Sequence, residues 1–446
     1  MPSTPADFWP LDPSLTMLNH GSFGSCPRPI LELQQRFRAE MEARPVDFLT
    51  RRMPSLLDDS RATLAELIGA DQADVVFVSN VTAAANAVLR SLRFRPGDEL
   101  LVTNHDYNAV RNVVRYVAER EGAKIVVAPV PLPLDSPEQI VGAVLSCATD
   151  RTRLALLDHV TSPTALVFPI EELVRRLAER GVDTLVDGAH APGMVPLDVR
   201  RIGAAYYGGN CHKWTCAPKG AGFLYVRPDR QEGIQPPVIS HGYNTRRVGR
   251  SAFQDAFDWP GTIDPTAWFC VGPAIRWLDG LFRDPPLPLG EGRGEGESLQ
   301  SSASMEETRP SALTPCPSPK GRGETGGAGR FPGLDALMRR NHAQAVWARR
   351  VLCERLGLSP LCPERMLGSL AAVRLPDDPA GLIPVEDANN LGSLHCLTIV
   401  LRDRFSIEVP VFYWPAAPQK LLRISAQAYN APEQYERLAD VLAELL

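Results

Sequence analysis

The sequence predicts an α/β fold, with a mostly parallel central sheet flanked by helices and a smaller C-terminal α/β domain after it. Two observations carry this. Between residues 74 and 226 short β-branched runs alternate with helical stretches, the pattern of βαβ units. Beyond residue 331, periodic helical stretches (333–356 and 431–446) flank strand-like segments at 368–374 and 420–425. A third observation separates the two regions. Residues 284–330 hold nine glycines and seven prolines and carry a near-repeat, PLPLGEGRGE (286–295) and PCPSPKGRGE (315–324). Two copies without an apolar face do not build a solenoid. The expected organisation is therefore an N-terminal segment (1–30), a large domain (31–283), a disordered surface insertion (284–330) and a small domain (331–446).

The elements follow in order. DVVFV (74–78) precedes the helical VTAAANAVLRSL, and ELLVT (99–103) precedes a helix starting near Tyr107. KIVVAPV (124–130) leads to SPEQIVGAVLSC, and RLALLDHV (153–160) leads to PIEELVRRLAERG. TLVDGAH (184–190), AAYYGG (204–209) and GFLYV (222–226) complete the strand series. Ligands on such sheets bind where strand carboxyl ends open into loops. The polar clusters SNVT, NHDY, DHVTSPT, DGAH and GGNCHKW all fall at such ends.

Composition narrows the function. A formal charge of −5, from 47 basic and 52 acidic side chains, gives no electrostatic footprint for nucleic acid or an anionic membrane. No run approaches the ~20 apolar residues of a membrane span, and the N-terminus lacks signal-peptide regions. Nine cysteines without a CxxC pair read as reduced thiols, with neither a disulfide framework nor a metal site. The expectation is a cytoplasmic enzyme acting on a small molecule.

The chemistry concentrates in DGAHAPG (187–193) and GGNCHKW (208–214). Lys213 lies among apolar and aromatic neighbours, and desolvation there lowers an amine's pKa toward nucleophilic use. Asp187 ends a neighbouring strand, where a carboxylate can hold a pyridine nitrogen protonated. Singly, Asp187 is also good turn chemistry and Lys213 an ordinary surface charge. At the strand end 74–78, SNVTAAAN opens a helix whose N-terminus suits a phosphate, through the backbone of Val81 and Thr82 and the Thr82 hydroxyl. The same residues also read as ordinary capping.

DGAHAPG…GGNCHKW…PKGAGFLYV resembles the core of the class V aminotransferase family, within the fold-type I enzymes that use pyridoxal 5′-phosphate (PLP). LNHGSFGSCP (18–27) and WPGTIDPTAW (259–268) resemble its isopenicillin N epimerase-like branch. The resemblance spans nearly the whole chain except 284–330. It implies that Lys213 forms the Schiff base and shuttles the α-proton, that Asp187 pairs with the pyridine nitrogen, and that His190 bonds the ring's phenolic oxygen. It places Asn210 and His212 at the phosphate and Tyr107 on the ring face, with His105 a near competitor. Thr262 would reach the phosphate of a neighbouring subunit, implying a homodimer with composite sites, or would cap the helix near Asp264. Arg423 would grip the substrate carboxylate through two parallel hydrogen bonds, and Asn19 would line the entrance or shape a turn.

The stretch 408–423 has no cysteine before Arg423, where desulfurases of the family carry a nucleophile. Persulfide chemistry of the usual kind is therefore not expected, while a β-lyase needs no such group. Thr161 and Ser162 stand where many relatives have asparagine. The expected reaction is epimerisation at an amino acid's α-carbon, with C–S lyase and aminotransferase as alternatives and a non-catalytic PLP-binding protein behind them. Epimerisation needs a second acid opposite Lys213, for which His20 and Tyr243 are the candidates.

Overall fold

The computed structural model describes residues 5–283, 330–377 and 395–446. The glycine- and proline-rich stretch predicted at 284–330 lies outside the described residues, apart from Arg330. The strands in chain order are β1 (Thr16–Met17), β2 (Val75–Val78), β3 (Glu99–Thr103), β4 (Lys124–Ala128), β5 (Thr152–Asp158), β6 (Asp183–Gly188), β7 (Tyr206–Asn210) and β8 (Gly222–Val226). They are followed by β9 (Leu370–Leu375), β10 (Ile407–Glu408), β11 (Val411–Tyr413) and β12 (Lys420–Ser425).

Seven strands form the main sheet in the order β2-β8-β7-β6-β5-β3-β4. All run parallel except β8, which is antiparallel to both its neighbours. The central strands β7 and β8 are buried along their length and β5 from Leu154 onward, as a sheet covered on both faces requires. Alternation sends Val75 and Phe77 into one core and Val76 and Val78 into the other. The edge strand β4 is the most exposed, and it begins with Lys124, a charge that discourages edge pairing. The carboxyl ends of β2, β3, β5, β6 and β7 consequently open at one edge.

The second sheet is antiparallel, in the order β11-β12-β9, and packs against the 25-residue helix Pro332–Leu356. The N-terminal segment joins it: β1 pairs in parallel with β10, and the Ser425 N–H donates to the Leu18 carbonyl at 2.9 Å. His20–Gly24 is thereby wedged between β12 and the loop after β7. Glycine is required there. A Cβ on Gly24, whose φ is +69°, would lie 2.0 Å from the His212 carbonyl and 3.0 Å from the Lys213 Cα. We expect Gly24→Ala to cost roughly 2–4 kcal/mol through left-handed strain and overpacking. Urea denaturation with both variants at one pH checks this.

Around the segment 241–264, buried ion pairs fix the chain. Arg61, 1 % exposed, meets Asp258, and Arg247 donates to Asp255 at 2.7 Å and Asp258 at 2.8 Å. Leaving either carboxylate unpaired in the interior is strongly unfavourable.

Candidate active site

At the open strand edge lies a cavity of about 310 Å³, the lower end of the range typical of small-molecule sites. Each strand end contributes: Val81 and Thr82 after β2, Tyr107 after β3, Asp158 and Ser162 from β5, Asp187 and His190 from β6, and Asn210, His212 and Lys213 from β7. Ser22 and Phe23 close it from the N-terminal segment, and Lys219 and Gly220 from the following loop. Nine of the residues singled out in the sequence thus share one cavity, although 132 positions separate Val81 from Lys213.

The lysine faces a histidine. Lys213 Nζ lies 3.2 Å from His190 Nε2. On the ring's other side, the Trp214 indole N–H, which can only donate, gives a 3.3 Å hydrogen bond to His190 Nδ1. The histidine proton is therefore on Nε2, and the lysine nitrogen accepts it, which requires a neutral amine. Desolvation, reinforced by the Arg423 charge and opposed by Asp187 and Asp158, pushes Lys213 down to about 7. Burial likewise holds His190 well below the usual imidazole range.

Asp187 is buried. Its Oδ1 accepts from the Ala189 N–H at 2.9 Å, while Oδ2 has no partner among the described residues. At the helix Val81–Ser91 the Asn80 side chain caps Ala83, and Asn210 Oδ1 accepts the Val81 N–H at 2.9 Å. The Val81 donor is already used within the chain. The Thr82 N–H and hydroxyl are what the helix N-terminus offers the cavity, and Asn210 braces that terminus. His212 donates from Nδ1 to the Ala221 carbonyl at 2.9 Å, leaving Nε2 available.

Arg423 lies directly behind Ser162 and Ser22. Its guanidinium, 1 % exposed, donates to the Ser162 carbonyl at 2.7 Å, the Ser162 hydroxyl at 3.1 Å, the Ser22 hydroxyl at 3.0 Å and Asn19 Oδ1 at 3.4 Å. Its Nε has no partner, and no carboxylate pairs with it among the described residues. Phe412 stacks near it at 5.2 Å. Desolvation lowers even this group, to about 10. Asn19 therefore acts behind the cavity wall, on Arg423, and is not itself a lining residue.

Other candidates lie elsewhere. His105 is fully buried, bonded to Thr164 and the Val130 carbonyl, so Tyr107, 44 % exposed, is the ring that reaches the cavity. His20 packs behind the lysine, against the Lys213 carbonyl at 3.0 Å and the Tyr429 hydroxyl at 2.9 Å, and burial holds it neutral at about 3. Tyr243 is exposed and outside the cavity. Neither is placed as a second acid. Thr161 bonds within its own loop to Thr164 and Leu166, leaving Ser162 as the residue facing the cavity. Thr262 is exposed and outside the cavity; Asp264 accepts the Thr266 N–H, so Thr262 does not cap that helix. Asp158, Ser22 and Lys219 line the cavity without having been singled out, since aspartate, serine and lysine near strand ends and loops carry no distinguishing pattern.

These groups fit PLP chemically: an orphaned buried carboxylate for a protonated ring nitrogen, an N–H on His190 for a phenolate, an open helix N-terminus for a phosphate, and a neutral lysine for the aldehyde. Among the described residues no cluster of three or more potential ligands could hold a metal ion, and no helix is long and apolar enough to cross a membrane. Residues 25–282 match the family model "Aminotransferase class-V". Isopenicillin N epimerase of Streptomyces clavuligerus is 36% identical, over 98% of this chain and 96% of its own length. A probable chloroplastic L-cysteine desulfhydrase of Arabidopsis thaliana is 30% identical, over 98% and 84%. A solved C-DES mutant, with glycine covalently linked to its PLP cofactor, superposes with a TM-score of 0.73 at 19% identity, over 100% of both chains. With a family model over more than half its length and relatives at this identity, the chain belongs to the class V aminotransferase family, PLP-dependent enzymes of fold type I.

Proposed function

We propose that the protein removes the α-proton of an amino acid to Lys213 and delivers a solvent-derived proton to the other face, as an isopenicillin N epimerase-like enzyme. The observation that carries this reading is a low-pKa Lys213 in the cavity with Arg423 directly behind two of the cavity's lining residues, Ser22 and Ser162, and without a carboxylate partner among the described residues. Bound PLP supplies the electron sink that makes an α-proton acidic. Asp187 keeps the proton at the ring nitrogen, and the His190 N–H holds the phenolic oxygen. Thr82 and His212 would take the phosphate, with Asn210 bracing the helix terminus. Tyr107 would cover the ring, and Lys213 would take the α-proton at Nζ. Arg423, steadied by Asn19, Ser22 and Ser162, fixes the carboxylate.

Relatives at similar coverage include cysteine desulfhydrases, and one feature supports a C–S lyase as the second reading. Elimination of a β-sulfur needs no second acid, and neither His20 nor Tyr243 supplies one. The test is incubation with PLP and a panel of L-amino acids in deuterated water. Deuterium at the α-carbon with D-isomer formation is expected. Pyruvate and sulfide from cysteine would move the assignment to the lyase, and finding neither exchange nor pyruvate with any amino acid would overturn both.

We further propose a homodimer. Val238, Ile239, Tyr243, Val248 and Ile263 expose apolar side chains on the segment that also carries Thr262, as an interface to be covered does. Light scattering is expected to give twice the 48.8 kDa chain mass.

The rate at which the apoprotein captures PLP is expected to rise with pH and level off above about 7, where Lys213 is a free amine. Below that the rate falls about tenfold per pH unit as the amine protonates. Stopped-flow absorbance from pH 5.5 to 9 measures it.

A further inference from the structure

Asp158 ends β5 directly opposite Asp187 on β6, in register. In-register residues on neighbouring strands share a face and stand about 4.8 Å apart. Asp158 is 2 % exposed and lines the cavity, yet neither of its oxygens has a hydrogen-bond partner among the described residues. The charged groups acting on it come from every surrounding element. Asp106, after β3, and Asp187 oppose its ionisation, while Arg111 and Lys213 favour it. Asp106 is itself tied to the Thr103 N–H and hydroxyl. Burial dominates and moves Asp158 well above the usual carboxylate range. Burial raises Asp187 as well, but two adjacent buried carboxylates do not both ionise, and Asp187 is the one with a backbone N–H bound to it, which favours its charged form.

We propose that Asp158 is a positioning residue that stays protonated and acts through Asp187, leaving Asp187 as the single charge that faces the ring nitrogen. A second ionised carboxylate would over-stabilise the ring's protonated form, and an apolar side chain would leave the Ala189 N–H to hold the Asp187 charge without the polar group beside it on β5. The inference rests on the cofactor assignment and is independent of which reaction follows proton removal.

Two substitutions separate the cases. Asp158→Asn keeps a neutral polar group of the same shape, and Asp158→Leu removes the polar group. PLP affinity and the pH titration of the bound cofactor's absorbance are measured for both, with no substrate present. Asn is expected to bind within about threefold of the parent, and Leu to bind at least about tenfold more weakly with a titration midpoint moved by about one unit. The apoprotein adds a check. A carboxyl whose pKa is raised on folding stabilises the fold at low pH and loses that contribution as pH rises from about 4 through its folded value. The fall in stability from pH 4 to 7 is therefore expected to be shallower in Asp158→Asn. If Asn behaves like Leu, Asp158 works as an anion and the proposal fails. If Leu matches the parent, Asp158 has no part in the site. Loss of amino-acid turnover with unchanged cofactor spectra would fault the proposed reaction and leave this inference standing.

Discussion

Lys213→Ala is expected to abolish the visible absorption band of bound PLP and to lower α-proton exchange by at least about 10³-fold, the combined loss of a covalent anchor and a positioned base. A rival amine makes the test discriminating. Lys219 also lines the cavity, but its ammonium donates to the Gly24 carbonyl at 2.8 Å and is exposed on the loop. Lys219→Ala is expected to keep the band. Borohydride reduction and peptide mapping should place the covalent adduct on the peptide holding Lys213. An adduct on Lys219, or a band surviving in Lys213→Ala, would overturn the assignment. Stability gives a second readout. The Lys213 amine titrates near 7 when folded and near 10.4 when unfolded, so between those values the unfolded chain binds more protons and stability rises with pH. Lys213→Ala removes that rise.

Much of this was legible in the sequence because the signals are local. β3 and β8 coincide with ELLVT and GFLYV, since buried β-branched and aromatic runs between helices have few other uses. Asp187 and Lys213 stood out because each follows such a run. What stayed hidden depends on pairing between distant segments. Strand order places Asp158 beside Asp187, and no spacing of 29 residues encodes it. His20 and Arg423 both looked accessible, yet the pairing of β1 with β10 turns the histidine behind the lysine and brings Asn19 against the guanidinium. The Val81 N–H looked free at a helix N-terminus. Asn210, 129 residues away, takes it. Such hydrogen bonds depend on tertiary approach, and residue type alone does not specify them.

Arg423 is expected to exchange stability for function, and that exchange is measurable in both directions. A guanidinium at 1 % exposure without a carboxylate partner among the described residues is a cost of folding that its hydrogen bonds to Ser22, Ser162 and Asn19 offset only in part. Its lowered pKa, caused by desolvation, is the same cost expressed as proton affinity. Arg423→Met keeps much of the volume and drops the charge, so the apoprotein is expected to become more stable by about 1–3 kcal/mol, as replacement of buried charges by apolar groups often does. The same change should lower kcat/KM for amino acids by about 10²–10³-fold, the loss of a bidentate charge-assisted contact, with the PLP band intact. Arg423→Lys should recover little of it, because an ammonium cannot present two parallel N–H groups. Amines without a carboxylate separate binding from chemistry: their slow turnover should be nearly equal in parent and Arg423→Met. If the variant instead loses stability and keeps kcat/KM, Arg423 is a structural residue held by its two serines, and the carboxylate is gripped elsewhere.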